Sequence, residues 1–217
     1  GYTKRANSAC ALGPDAAPLA EIGPDIEALY ARHGQRAIFR LSPLASPEDD
    51  AWLAQRGYRR IEPTHVMRLA DLPQHAPEPP AGYALGFADH ADAAWIAGFT
   101  AGDRHGVAGR ETLAAMLAAI RPQALFASLW HEGVACGYGI AVMERRGVGL
   151  FDIQIAQTRR GLGLGRFLVG SLLSRARCDG ADHAWLQVLV ENEVACGLYR
   201  SFGFAPVYDY VYRVPPG

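Results

Sequence analysis

The segment Arg160-Gly161-Leu162-Gly163-Leu164-Gly165-Arg166 constrains this chain more than any other stretch. Its glycines allow left-handed turns and leave no β-carbon between the main chain and a ligand. An apolar run over residues 148–155 leads in, and a helical pattern over 167–176 leads out. Strand, glycine turn and helix together aim backbone N–H groups and a helix N-terminus at an anion. The expectation is a phosphate cradle. A glycine-rich turn with no ligand is the plain alternative.

Two nucleotide loops can be set aside. A P-loop ends in Gly-Lys-Ser/Thr, whereas this one ends Gly165-Arg166-Phe167. The dinucleotide fingerprint needs a third glycine three residues after the second, where Arg166 or Leu168 stands here.

The remaining pattern, Arg160-x-x-Gly163-x-Gly165, resembles the acyl-CoA loop of the GNAT superfamily of N-acyltransferases, Gln/Arg-x-x-Gly-x-Gly/Ala. A second stretch agrees with it. Residues 186–190 are apolar and strand-like, and Asn192-x-x-Ala195-x-x-Leu198-Tyr199-x-x-x-Gly203-Phe204 resembles the family's last motif at every specified position. On these two segments the chain is identified as a member of that superfamily. The resemblance implies an α/β fold (α+β in some schemes): a mixed, mostly antiparallel sheet flanked by helices. It implies acetyl-CoA as co-substrate and an acetyl group moved to a primary amine, on a small molecule or a peptide. Direct transfer in a ternary complex is the leading reading. The alternative is a non-catalytic acyl-CoA-binding regulatory module.

The resemblance also assigns residues. Amides of Gly161, Leu162, Gly163, Leu164, Gly165 and Arg166 would hold the pyrophosphate, with Arg160 at the loop's first position. Arg166 would either add charge near the phosphates or remain a surface arginine. The strand Asp152-Ile153-Gln154-Ile155 would splay from its neighbour, leaving the backbones of Ile153 and Ile155 to pair with the pantetheine arm. Gln157 stands where the family often has proline. Asn192 would contact the arm, although it equally suits a helix N-cap. Tyr199 would protonate the departing sulfur, its alternative being a packed helix aromatic.

The general base is less determined. Gln187 occupies the place where some members carry glutamate, and it cannot take a proton. Asp152 acting through water is the preferred candidate. Glu191, Glu193, His131, His105 and solvent alone are the others. No metal is expected, because His, Cys and carboxylate residues show no ligand spacing.

At 217 residues with net charge −1, the chain implies neither a nucleic-acid nor a membrane partner, and no apolar run approaches the about 20 residues of a membrane span. Four cysteines without Cys-x-x-Cys spacing suit reduced thiols and a cytoplasmic setting. A homodimer is compatible with these features. The chain opens without Met in Gly1-Tyr2-Thr3-Lys4-Arg5, which reads as strand interior, so residues upstream of Gly1 are expected.

The first part reads as strand (1–12), breaks at Gly13-Pro14 and Pro18, helix (22–33, with Ile22, Ile26, Leu29 and Tyr30 on one face), and strand (36–41). Ser46 and Pro47 then start a helix that Gly57 stops, before a strand over 64–69. Prolines 73, 77, 79 and 80 mark a linker, giving domains 1–75 and 81–217. The first resembles a degenerate GNAT unit. Its Gly13-Pro14-Asp15-Ala16-Ala17-Pro18 stands where a phosphate loop would be, and proline and aspartate there oppose anion binding.

Overall fold

The computed structural model describes residues 3–101 and 106–217. In chain order its elements are α1 (Leu19–Arg32), β1 (Phe39–Leu41), α2 (Pro47–Gln55), β2 (Arg59–Leu69), β3 (Tyr83–Ala88), α3 (Ala93–Phe99) and α4 (Gly106–Ala118). There follow β4 (Ala124–His131), β5 (Val134–Glu144), β6 (Gly147–Ile155), α5 (Leu164–Cys178), β7 (His183–Leu189), α6 (Glu193–Arg200) and β8 (Ala205–Val214). The expected mixed, mostly antiparallel sheet flanked by helices is present.

The chain divides into two compact units, one of residues 1–66, 188–193 and 206–217, the other of 67–187 and 194–205. This division does not follow the proline linker. Strand β8 pairs antiparallel with β1 through Phe39–Arg213, Arg40–Tyr212 and Leu41–Val211, which draws the C-terminal residues into the first unit. Residues after 66 are held by the second unit instead. Leu72 is buried and its carbonyl accepts from Arg177 of α5 at 2.7 Å. A β-carbon at Gly170 of α5 would sit 3.1 Å from Pro77.

In the first unit, α2 begins as its sequence dictates. Ser46 accepts from the Asp49 N–H while the Asp49 carboxylate accepts from the Ser46 N–H, a complete capping box. Helix α1 starts three residues earlier than expected, at Leu19. Of its predicted face, Ile22, Ile26 and Tyr30 pack around Leu19, Phe39, Leu53 and Tyr58, but Leu29 is exposed. A β-carbon at Gly23 would overlap Trp52, so glycine there lets α1 and α2 approach. The strand expected over 1–12 does not form across its described part. Residues 4–6 turn, tied by Lys4 to Glu62 at 2.7 Å, and only Ala9 bridges, parallel, to Phe39.

Arg213 anchors this unit. Its side chain is 10% exposed, with Nε donating to Asp50 Oδ1 at 2.8 Å and Nη1 to the Tyr58 carbonyl at 2.7 Å. The guanidinium holds the Asp50 carboxyl below its ordinary range, mainly through that hydrogen bond. Arg213→Met keeps the aliphatic stem and leaves both acceptors unmet, at an expected cost of about 2–3 kcal/mol read from urea midpoints. Because the Asp50 pKa is depressed, the pair's contribution is full above the ordinary carboxylate range and is lost as pH falls through and below it. The gap between parent and variant should therefore narrow below about pH 4. A gap that stays constant with pH would sink this account.

In the second unit the strand order is β7-β6-β5-β4-β3, with β6 and β7 parallel and the other pairs antiparallel. Helix α5 packs against β4, β5 and β6. Trp95 and Phe99 of α3 pack with Phe126, Tyr138 and Ile140 in a separate cluster, and the Trp95 indole N–H donates to the Ala127 carbonyl at 3.1 Å. Leu117 of α4 and Ile120 just beyond its end join this cluster.

Candidate active site

The site is built on a fault in β6. Opposite β5, Tyr138 pairs with Gln154 but Ile140 pairs with Phe151, so Asp152 and Ile153 together face Gly139 as a bulge. Asp152 takes φ +52° there. Asp and Asn enter this left-handed region more readily than other non-glycine residues, so the backbone alone accounts for an aspartate. Its side chain is exposed.

The parallel ladder from β6 to β7 ends at Leu150–Leu186, just before the bulge. The Ala156 N–H donates to the Cys136 carbonyl at 2.8 Å, so by alternation Gln154 turns its backbone groups toward β5 and Ile155 turns its own away. Ile153 shares that parity. Its side chain and that of Ile155 lie on one face, each 2.8 Å from where β-carbons of Gly139 and Gly137 would stand. Both isoleucines therefore give their side chains to the interior and their backbones to the outer edge. The Ile155 carbonyl accepts from Arg160 Nε at 3.2 Å, so one acceptor on that edge is already in use.

A 3₁₀ turn, Gln157–Arg159, carries the chain from this edge into the loop. Arg160 is extended, and Gly161 and Gly163 take φ +78° and +77°. Gly163 is the N-cap of α5, with no capping side chain and no acidic residue in the first turn. The first helical bond runs from Phe167 N–H to the Gly163 carbonyl at 3.1 Å. The preceding N–H groups, of Leu164, Gly165 and Arg166, have no acceptor within the helix and lie at the positive end of its dipole. A β-carbon at Gly161 or Gly163 would meet nothing within 4 Å. These glycines serve the turn's φ values, and the space beside them is open. Gly165 differs: its β-carbon would meet Leu198 of α6 at 3.4 Å, so it also serves helix packing.

Tyr199 lies on the buried side of α6 with Cys196 and packs edge-to-face on Phe204 at 5.8 Å. Burial, and secondarily the nearby Cys196, push its phenol up to about 12. It is protonated throughout the neutral range. Relative to a thiol of ordinary pKa, full proton transfer from such a phenol is uphill by about 5 kcal/mol. A phenol of this kind is better suited to hydrogen-bond donation toward a developing anion than to full proton transfer.

A family model described as the C-terminal part of the probable histone acetyltransferase Rv0428c matches residues 1–213. The chain belongs to this family. It is a GNAT acetyltransferase by fold and relatives. The uncharacterized N-acetyltransferase YobR of Bacillus subtilis (strain 168) is 26% identical over 218 residues, covering 99% of this chain and 86% of the relative. Streptothricin acetyltransferase of Streptomyces lavendulae is 44% identical over 54 residues, 25% of this chain and 29% of its own. Among solved structures, a GCN5-related N-acetyltransferase from Kribbella flavida superposes with TM-score 0.66 at 18% identity, over 96% of this chain and 80% of that one. A tandem GNAT protein from the clavulanic acid biosynthesis pathway gives 0.67 at 17%, over 86% and 67%. At these identities the likeness concerns the fold.

Within this GNAT chain the remaining candidates fall as follows. Arg166 donates to Ser201 Oγ at 2.5 Å and lies 4.8 Å from the Phe202 ring centroid, tying α5 to the end of α6. His131 packs at a tilt against Tyr83, ring centroids 4.6 Å apart, and accepts at Nδ1 from Arg159 Nη2 at 3.2 Å, a packed histidine. Gln187 is half-buried in β7. Asn192 is exposed immediately before the first residue of α6, with Glu191 and Glu193 beside it, and these three belong to the first unit. His105 lies outside the described residues. Among the described residues no group of three or more His, Cys, Asp or Glu side chains is placed to hold a metal ion, and no helix is long and apolar enough to cross a membrane.

Proposed function

We propose that this chain transfers an acetyl group from acetyl-CoA to a primary amine by direct transfer in a ternary complex. The observation that carries this reading is the continuity of two features in one unit: a strand that leaves its parallel partner at a bulge, and an uncapped helix N-terminus reached through an open glycine turn. The first offers backbone pairing to an extended amide-bearing arm, and the second offers N–H groups to a diphosphate. Acetyl-CoA supplies the activated thioester. In the transfer, nitrogen replaces sulfur on the acetyl carbon; the amine gives up a proton and the thiolate takes one.

This chain's residues divide that work. Amides from Gly161 to Arg166 hold the diphosphate. The outer edge of Ile153 and Ile155 orients the thioester and polarises its carbonyl. Tyr199 donates to the leaving sulfur, and Asp152, exposed at the bulge, accepts the amine proton through water. Among similar proteins, the family description names histone and one relative's name names streptothricin. The acceptor panel should therefore contain lysine peptides, streptothricin and simple polyamines, assayed by CoA thiol release. No release with any of them, together with tight acetyl-CoA binding, would favour the regulatory-module reading, to which Gln187 lends some support.

The first part of the chain is, in this proposal, a degenerate copy of the same plan. The chain runs from the parallel bridge at Ala9 through α1 to β1, as it runs from β6 through α5 to the parallel β7, with a single bridge residue standing where the second unit has a strand. Helices α2 and α6 close alike: Gly57 and Gly203 at φ +81° and +95°, each followed by a buried aromatic whose N–H reaches back five residues, from Tyr58 to Leu53 and from Phe204 to Tyr199. The copy has lost its anion site. Leu19 N–H at the start of α1 is taken by Asp49 Oδ1 at 2.7 Å, and Pro14, Asp15 and Pro18 occupy the loop. Calorimetry should accordingly give one acetyl-CoA per chain, and a stoichiometry of two would end this account.

A further inference from the structure

The first unit contains a pocket of about 320 Å³ that the transfer reaction does not use. Its wall is apolar, built by Leu19, Ile22 and Ile26 of α1 with Phe39 and Leu41 of β1, and Ala9 to Leu12 close the side. Two charged groups reach it. Asp49 is already committed, through Oδ1 to the Leu19 N–H and through Oδ2 to the Ser46 N–H. Arg40 is half-buried, with Nη2 3.2 Å from Cys10 Sγ and its guanidinium 5.5 Å from the Tyr210 ring centroid. Among the described residues no carboxylate forms an ion pair with it.

We infer that this pocket binds a small aliphatic carboxylate, with its chain against Leu19, Ile22, Ile26 and Phe39 and its carboxylate on Arg40. A guanidinium partly withdrawn from water, beside a thiol and two tyrosines but no carboxylate among the described residues, gains most from an anion with two oxygens. Phosphate esters fit poorly, because the α1 N-terminus is occupied by Asp49 and flanked by Asp15. The volume lies at the low end for ligand pockets and suits a chain of roughly six to ten carbons. The apolar wall selects for that chain, and Arg40 selects for the acid over the alcohol.

The test uses the full chain, sodium octanoate and isotope-edited NMR. Octanoate should saturate at one site per chain with shifts centred on residues 9–49 and on the β8 residues beside Arg40, Tyr210 to Tyr212, and binding should tighten about fourfold per methylene from hexanoate upward. Octanol should bind at least tenfold more weakly than octanoate. Arg40→Met should remove that preference, and its fold is checked by its melting curve. Ala16→Trp places bulk at an exposed position on the rim and should block octanoate without touching the core. Acetyl-CoA at saturation should leave octanoate binding unchanged. Equal affinity for octanol and octanoate, undiminished binding in Ala16→Trp, or no saturable binding at millimolar octanoate would each overturn the assignment.

Discussion

Gly163→Glu is expected to abolish acetyl-CoA binding while leaving the chain folded. Gly163 sits at φ +77° as the N-cap of α5, so any side chain there costs about 1–2 kcal/mol of backbone strain. The new carboxylate would stand at the positive end of the helix dipole, where negative charge is stabilising, and that partly offsets the strain. The same carboxylate occupies the amides that a diphosphate needs and repels it. Gly163→Ala separates the contributions. It carries the strain without the charge, and its β-carbon meets nothing within 4 Å, so binding should weaken about tenfold or less. Calorimetry on parent and both variants decides the matter. Parental affinity in Gly163→Glu would show that the diphosphate is held elsewhere.

Tyr199→Phe is expected to lower turnover by about 100-fold, the low end for a lost proton donor, with acetyl-CoA affinity nearly unchanged. The ring and its contact with Phe204 survive the substitution, so binding and stability should hold. The low end is expected because a phenol near 12 transfers its proton to a thiolate reluctantly and helps chiefly by hydrogen bonding. The loss should appear equally in kcat and kcat/KM, since the hydroxyl acts in the transition state. With that phenol, Tyr199 adds no falling limb to the kcat profile below about pH 10. A phenylalanine variant that works at the parental rate on a good acceptor would remove Tyr199 from the chemistry. One that loses stability or cofactor affinity would mark it as a packing residue.

What the sequence disclosed and what it concealed divide by distance along the chain. The glycine turn, the helix after it, the Ser46 cap and the stop at Gly57 are set by residues within a few positions of one another, and all read correctly. Arg213 reaching Asp50 and Tyr58, or β8 pairing with β1, depends on residues more than 150 positions apart, for which periodicity carries no signal. The bulge falls between these cases. Asp152 at positive φ is local, yet an aspartate inside an apolar strand reads as a candidate base as readily as a backbone device. The N-terminal segment failed differently, since its residues had strand-like propensity but only Ala9 found a partner. Arg160 lies just before the glycine turn and Arg166 in the first turn of α5, and their side chains follow contacts with Ile155, Ser201 and Phe202 that composition cannot reveal.

The pairing of β8 with β1 has a consequence for how the chain is made. Val211 follows its partner Leu41 by 170 residues, so a ribosome moving at about 5–20 residues per second exposes β1 roughly ten to thirty seconds before β8 leaves the exit tunnel. During that interval the first unit has an unfilled sheet edge, while the glycine loop and its helix can already be assembled behind it. A strand translated late thus completes a unit whose other strands are translated early. Premature termination shortly before β8 would spare the glycine loop and leave the first unit as the target of chaperones and proteases.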